Sequence, residues 1–164
     1  MKYLEGDKMS WLFIIIIVLL DQATKLMTVA CLDIGEKIVL IDSYLQINHV
    51  RNYGAAWSIL ENKQVFLIGI TGLIIIALVY YKKTESFTRA MHFATDLIVA
   101  GAVGNLIDRI RLGNVIDMID VKFGNLYDYP VFNVADIAVV LGTLLMAYLV
   151  LKNKAIEEDV KNDA

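Results

Sequence analysis

The stretch VFNVADIAVVLGTLLMAYLVL, from Val131 to Leu151, carries one charged side chain, Asp136. A carboxylate there is costly in lipid, by about 2.5–3.5 kcal/mol on insertion scales, so it is expected to face other protein or a wet cleft. Two carboxyls that share one proton can hydrolyse a peptide: the ionised one activates water while the protonated one polarises the carbonyl oxygen. Asp136 then needs a partner. Asp117, Asp120, Asp108 and Asp21 are all candidates. Asp117 and Asp120 are favoured because their segment leads directly into the apolar run that holds Asp136. Spacing does not choose between them.

Other chemistries find less support. The single Cys31 has no internal disulfide partner and lacks the His and Cys neighbours of a thiolate nucleophile or a zinc site; it reads as packing. His49 and His92 have no metal-ligand partner at useful spacing, so no metal or other cofactor is implied. A net charge of −3 without a basic stripe sets nucleic acid aside.

The elements that must position these acids are apolar. Hydrophobic residues make up 58% of 164, there is one proline, and the mean hydropathy is +0.60, which together mark a membrane protein. Runs of about 20 apolar residues, enough to cross a bilayer, fall at 10–30, 64–81, 91–110 and 132–151. The first continues past Asp21 and Lys25 without a clear cleavage site and reads as a retained helix. With no repeat, low-complexity tract or linker, residues 1–164 form a single integral membrane domain.

Lysines and arginines favour the cytoplasmic side. Lys2 and Lys8, then Lys82, Lys83 and Arg89, then Lys152, Lys154 and Lys161 place both termini and the link between the second and third spans there. The connections 31–63 and 111–131 then face outward. Within them, Leu45, Ile47 and His49 alternate with Gln46 and Asn48, and Ile119, Val121 and Phe123 alternate with Asp120 and Lys122. Period two predicts short half-buried strands. The fold class is thus an all-α membrane protein, four transmembrane helices with a small extracellular β-strand cradle and a loop cap over the site.

This topology sorts the polar residues by depth. Asp21, Lys25, Asn52, Asn105, Asp108, Arg109, Asn133 and Asp136 converge near the outer leaflet, Asp136 being about 9 Å down its helix from Pro130. Plainer roles exist for several of them. Asp21 and Lys25, spaced i, i+4, can neutralise each other, and Asp108 and Arg109 sit where interfacial charge is common. Asp96 lies in the cytoplasmic half, within snorkelling reach of Arg89 or Lys82, and reads as a structural pair. Gly69 with Gly72, and Gly101 with Gly104, read as sites of close helix packing. A transporter or channel subunit relaying protons or cations through Asp21, Asp96 and Asp136 is the alternative, and a non-catalytic assembly factor a third. A relay needs polar groups at several depths, whereas these cluster at one, with Asp96 the outlier.

Five blocks in order, DQATK (21–25), NYGAAWSI (52–59), AGAVGNLIDR (100–109), NVIDM (114–118) and VFNVAD (131–136), resemble the motif blocks of the lipoprotein signal peptidases, or signal peptidases II. The resemblance spans nearly the whole chain; Ala100 replaces a frequent glycine, and Asp96 and Asp120 lie outside the pattern. It implies an aspartic endopeptidase with Asp117 and Asp136 as the catalytic pair. Asn52, Asn105, Arg109 and Asn133 would orient substrate and dyad, with Gly54, Ala135, Asp21, Lys25 and Asp108 in supporting roles. It further implies a diacylglyceryl-modified prolipoprotein in a bacterial cytoplasmic membrane, cut on the N-terminal side of its lipidated cysteine, and inhibition by globomycin. Membrane lipid would be the other partner, loops 32–51 and 120–129 would lie over the cleft, and the chain would act as a monomer.

Overall fold

The computed structural model describes residues 2–55, 59–123 and 127–162, with the backbone alone for residues 2–9, 128 and 154–162. The centre of the NYGAAWSI block and the side chains of Lys2, Lys8, Lys154 and Lys161 therefore lie outside the described residues. Four long helices dominate: α1 (Lys2–Cys31), α2 (Gln64–Thr84), α3 (Arg89–Leu112) and α4 (Val134–Asn162). Each contains a stretch long and apolar enough to span a membrane: Ser10–Cys31, Gln64–Thr84, Arg89–Leu112 and Val134–Asn153. The chain is a multi-pass membrane protein.

Helix α3 is the axis of the bundle. It packs against α4, α1 and α2, and 44% of its apolar window is buried inside the protein against 6% of that of α2. Small residues make this possible. A side chain on Gly101 would run into the Ala135 carbonyl of α4, and one on Gly104 would meet Asp21 Oδ2 of α1 at 2.6 Å. Gly69 and Gly72 differ from expectation: open space surrounds both, so α2 gains no close approach from them. Cys31, expected to pack, is exposed at the last residue of α1.

At its C-terminus α3 stops on Gly113, whose φ of 70° is the left-handed turn that glycine adopts without strain. The reversal launches the strand β3 (Val115–Phe123) back across the helix ends. It joins β1 (Lys37–Ile41), β2 (Leu45–Asn52) and the two-residue β4 (Tyr127–Asp128) in an antiparallel sheet ordered β1-β2-β3-β4. β3 is longer than its alternation suggests, and it carries Asp117 as well as Asp120. The β2–β3 register has an irregularity: Ile47 faces Ile119 but Val50 faces Asp117, three steps on one strand against two on the other. One extra residue, within Asn48–His49, therefore bulges from β2. The expected alternation through His49 breaks there.

Candidate active site

Helix α4 begins with a reciprocal cap. Asn133 Oδ1 accepts the Asp136 N–H (2.9 Å), and Asp136 Oδ2 accepts the Asn133 N–H (3.1 Å). This is a capping box with an acid in the third helical position, where the helix dipole also favours a carboxylate. Asp136 is thus fixed by the same bonds that start its helix. Its other oxygen, Oδ1, accepts from Asn105 Nδ2 of α3 at 2.8 Å.

Asp117 is held from three directions. Asn133 Nδ2 donates to its Oδ1 (2.6 Å) and Asn52 Nδ2 to its Oδ2 (3.0 Å), while β3 fixes its backbone. The orientation of Asn52 is set, because its Oδ1 accepts the Gly54 N–H at 2.9 Å and leaves the amide nitrogen to face Asp117. Asn133, wholly buried, bonds both acids, one through its side chain and the other through its backbone. Burial, and then the negative charge of Asp136, push the Asp117 carboxyl up to about 7 against the favourable bonds from Asn52 and Asn133. Near neutral pH it holds a proton part of the time.

Beneath the pair lies a three-way ionic knot. Lys25 Nζ, 1% exposed, spends its donors on Asp21 Oδ2 (2.8 Å), Asp108 Oδ2 (2.9 Å) and Asn105 Oδ1 (3.0 Å). Each acid has a second task. Asp21 Oδ1 accepts the Ala135 N–H at 2.9 Å, and Asp108 Oδ2 the Ile116 N–H at 3.2 Å. Ala135 and Ile116 are the residues immediately before Asp136 and Asp117. One buried lysine thus neutralises two carboxylates, each of which grips the backbone one residue ahead of a member of the pair.

Arg109 donates from its guanidinium to the Gly54 carbonyl at 3.1 Å, and its charge is felt by Asp136 and Asp117. Among the described residues its buried Nε has no hydrogen-bond partner. The fold therefore brings together the residues that the family resemblance picks out: Asp117, Asp136, Asn52, Gly54, Asn105, Asp108, Arg109, Asn133, Ala135, Asp21 and Lys25. Asp120 is left apart. Three residues from Asp117 on a regular strand it points to the opposite face of the sheet, where it accepts from Asn48 Nδ2 at 3.3 Å. Gln22 was missed. Its Nε2 contacts Asp108 (3.0 Å), Asp21 (3.2 Å) and the Gly104 carbonyl (3.3 Å), and its place inside DQATK was the available signal. Asp96 pairs with Lys82 and with Ser10 at the opposite end of the bundle.

Four spanning helices, with two carboxyls joined by the buried Asn133 where a strand meets a helix start, define a polytopic membrane protein with a polar site at one end of its bundle. Residues 13–152 match the family model described as signal peptidase (SPase) II. The chain belongs to the signal peptidase II family. It is 41% identical over 160 residues to a lipoprotein signal peptidase of Staphylococcus aureus, covering 96% of each chain. To that of Clostridium tetani it is 37% identical over 153 residues, covering 92% of this chain and 97% of the relative. Among solved structures, one described as a bacterial membrane enzyme obtained by the in meso method at 2.3 Å is 38% identical, with a TM-score of 0.84 over 90% of each chain. A second of the same description, at 1.9 Å, is 39% identical, with a TM-score of 0.80 over 88% of this chain and 94% of the other.

Proposed function

We propose that this peptidase is an aspartic endopeptidase that removes signal peptides from diacylglyceryl-modified prolipoproteins, cutting on the N-terminal side of the lipidated cysteine. The observation that carries the reading is the bonding of Asp117 and Asp136 to one buried asparagine, Asn133. In this mechanism Asp136, ionised, takes a proton from a water molecule as its oxygen attacks the scissile carbonyl carbon. Asp117, its carboxyl raised to about 7 by burial, gives its proton to the carbonyl oxygen. Collapse of the tetrahedral intermediate breaks the C–N bond: the proton gained by Asp136 leaves with the new amine, and a hydroxyl of the intermediate returns a proton to Asp117 as the acid product forms. Arg109, with its unengaged buried Nε, and Asn52 orient the peptide backbone.

The substrate's acyl chains lie in the surrounding lipid beside the helices, which keeps the cysteine at the level of the pair. The sheet and the pair then belong at the outer face of a bacterial cytoplasmic membrane, with both termini and the 85–88 link cytoplasmic. The enzyme works as a monomer without a cofactor, and globomycin competes at the pair. The transporter reading gains nothing from Asp96, which is tied to Lys82 and Ser10 and separated from the pair by the buried apolar residues Val99, Ala100 and Ala102 of α3.

Purified protein in detergent is to be incubated with a synthetic lipopeptide bearing or lacking diacylglyceryl on its cysteine. Cleavage of the lipidated peptide alone is expected, and globomycin at saturation should stop it. Equal cleavage of both peptides would remove the lipid requirement; cleavage of neither would remove the function.

A further inference from the structure

The extra residue of β2 has a consequence for Asp117. Side chains on a strand alternate faces, so Leu45 and Ile47 would share a face with residues 49 and 51, and Asn52 would point away from them. The bulge changes the parity. Ile47 pairs with Ile119, Val50 with Asp117 and Asn52 with Val115, all three partners lying on the Asp117 face of β3. Asn52 reaches Asp117 Oδ2 because one residue has been inserted before it.

What holds the bulge lies outside the motif blocks. His49, 2% exposed, gives every polar group it uses to the turn after α1. Its N–H donates to the Glu36 carbonyl (3.2 Å), its carbonyl accepts from the Gly35 N–H (2.8 Å), and its Nδ1 meets the Leu32 carbonyl (2.9 Å). A carbonyl can only accept, so Nδ1 carries a proton, and the buried Nε2 has no hydrogen-bond partner among the described residues. Asn48, the other bulge residue, is clipped to Asp120 of β3. A buried, half-satisfied imidazole is a costly way to fill space. A phenylalanine would fill it without an orphan nitrogen.

We infer that His49 is a positioning residue for Asp117: by pinning the β2 bulge to the Leu32–Glu36 turn it fixes the strand parity that aims Asn52 at the Asp117 carboxyl. The inference rests on the proposed role of the pair for its kinetic readout, and on geometry alone for its spectroscopic one.

The test uses His49→Phe, His49→Asn and Asn52→Ala in the full chain. Asn places an N–H where Nδ1–H stood and should rescue; Phe keeps the ring and removes the donor. The Asn52 bond favours ionised Asp117, so its loss moves the Asp117 titration to higher pH. The other charges around Asp117, namely Asp136 from α4, Lys25 from α1 and Arg109 from α3, are the same in every variant. In an Asp136→Asn background the Asp117 carboxyl is titrated by infrared spectroscopy. His49→Phe and Asn52→Ala are expected to raise its midpoint equally, their combination no further, and His49→Asn not at all. With Asp136 intact, kcat for the lipopeptide should fall about three- to tenfold in His49→Phe with KM unchanged, the fold-change of one hydrogen bond. An unshifted midpoint in His49→Phe, or shifts that add, would overturn the inference. Should His49→Phe not fold, His49→Gln, whose amide sits at the Nε2 position, provides the same comparison. Absence of cleavage by the unmodified protein would count against the protease reading and leave the titration to decide this one.

Discussion

Two lysines neutralise acids inside this bundle, and they differ in what those acids do next. At the sheet end Lys25 binds Asp21 and Asp108, whose side chains also hold the backbone N–H groups of Ala135 and Ile116. At the far end Lys82 binds Asp96, which is also bonded by Ser10; only side chains take part. Lys25 and its partners are 1–2% exposed at the side chain, whereas the Lys82 side chain is 13% exposed. The first arrangement registers three helices and a strand against the Asp117–Asp136 pair. The second fastens α1, α2 and α3 together and ends there. A buried ion pair is therefore weak evidence of a site; an ion pair whose carboxylates also hold the backbone beside a second pair of acids is stronger.

The largest effect expected is at the pair itself. Asp117→Asn and Asp136→Asn each keep side-chain size while removing either the base or the shared proton, and each should lower lipopeptide turnover by roughly 10³-fold or more. Helix content by circular dichroism should be unchanged. Normal cleavage by both variants would overturn the aspartic mechanism.

Next comes the contrast between the lysines. Lys25→Met strands two buried carboxylates and should cost about 3–5 kcal/mol, enough to abolish folding or leave a protein without activity. Lys82→Met leaves Asp96 with Ser10 as a remaining donor and should cost roughly 1–3 kcal/mol, with kcat per folded molecule unchanged. Thermal melting in detergent, with activity normalised to folded protein, separates the two. Equal loss of kcat in both would erase the distinction between the ends.

A third effect grows with pH. The Asp117 carboxyl is raised from an ordinary value near 4 to about 7, first by burial and then by Asp136. The folded state then binds more protons than the unfolded one between these values, so stability falls as pH rises from about 4 to 7 and is flat above. Asp117→Asn removes this loss. Above pH 7 the inactive variant should melt higher than the unmodified protein, by a stability difference on the order of 2–4 kcal/mol, and near pH 4 the two should coincide. A variant that melts lower at every pH would show that its bonds to Asn52 and Asn133 outweigh the desolvation of the carboxylate.

The helices were legible because apolar runs of spanning length have one economical conformation in lipid. The spacing Asn133-x-x-Asp136 also carried its own explanation, since it is the sequence form of a capping box. Other parts could not be read. β1, with the apolar run KIVLI exposed along its whole length, has no alternation to detect. The period-two pattern around Asp120 is visible only from Ile119, so the alternation marks only the second half of β3. The β2 bulge is a matter of register between strands, which no single-strand period reveals. For the same reason sequence spacing left Asp117 and Asp120 equal as partners of Asp136. The chain's resemblance to a family separated them, and strand parity gives the physical reason.

The smallest effect tests that parity. Asp117 and Asp120 are both buried, at 2% and 4% exposure, and lie three residues apart on one strand, so mere proximity would treat them alike. Opposite faces forbid it. Asp120 accepts one long bond from Asn48 and touches neither Asn133 nor Asn52. Asp120→Asn retains an oxygen that can accept the Asn48 N–H, loses a buried charge, and should change stability by less than about 1 kcal/mol and kcat by less than about threefold. The measurement is lipopeptide turnover beside that of Asp117→Asn under the same conditions. If Asp120→Asn is inactive while Asp117→Asn cleaves normally, Asp136 has Asp120 as its partner, and the face that carries the chemistry is the opposite side of β3.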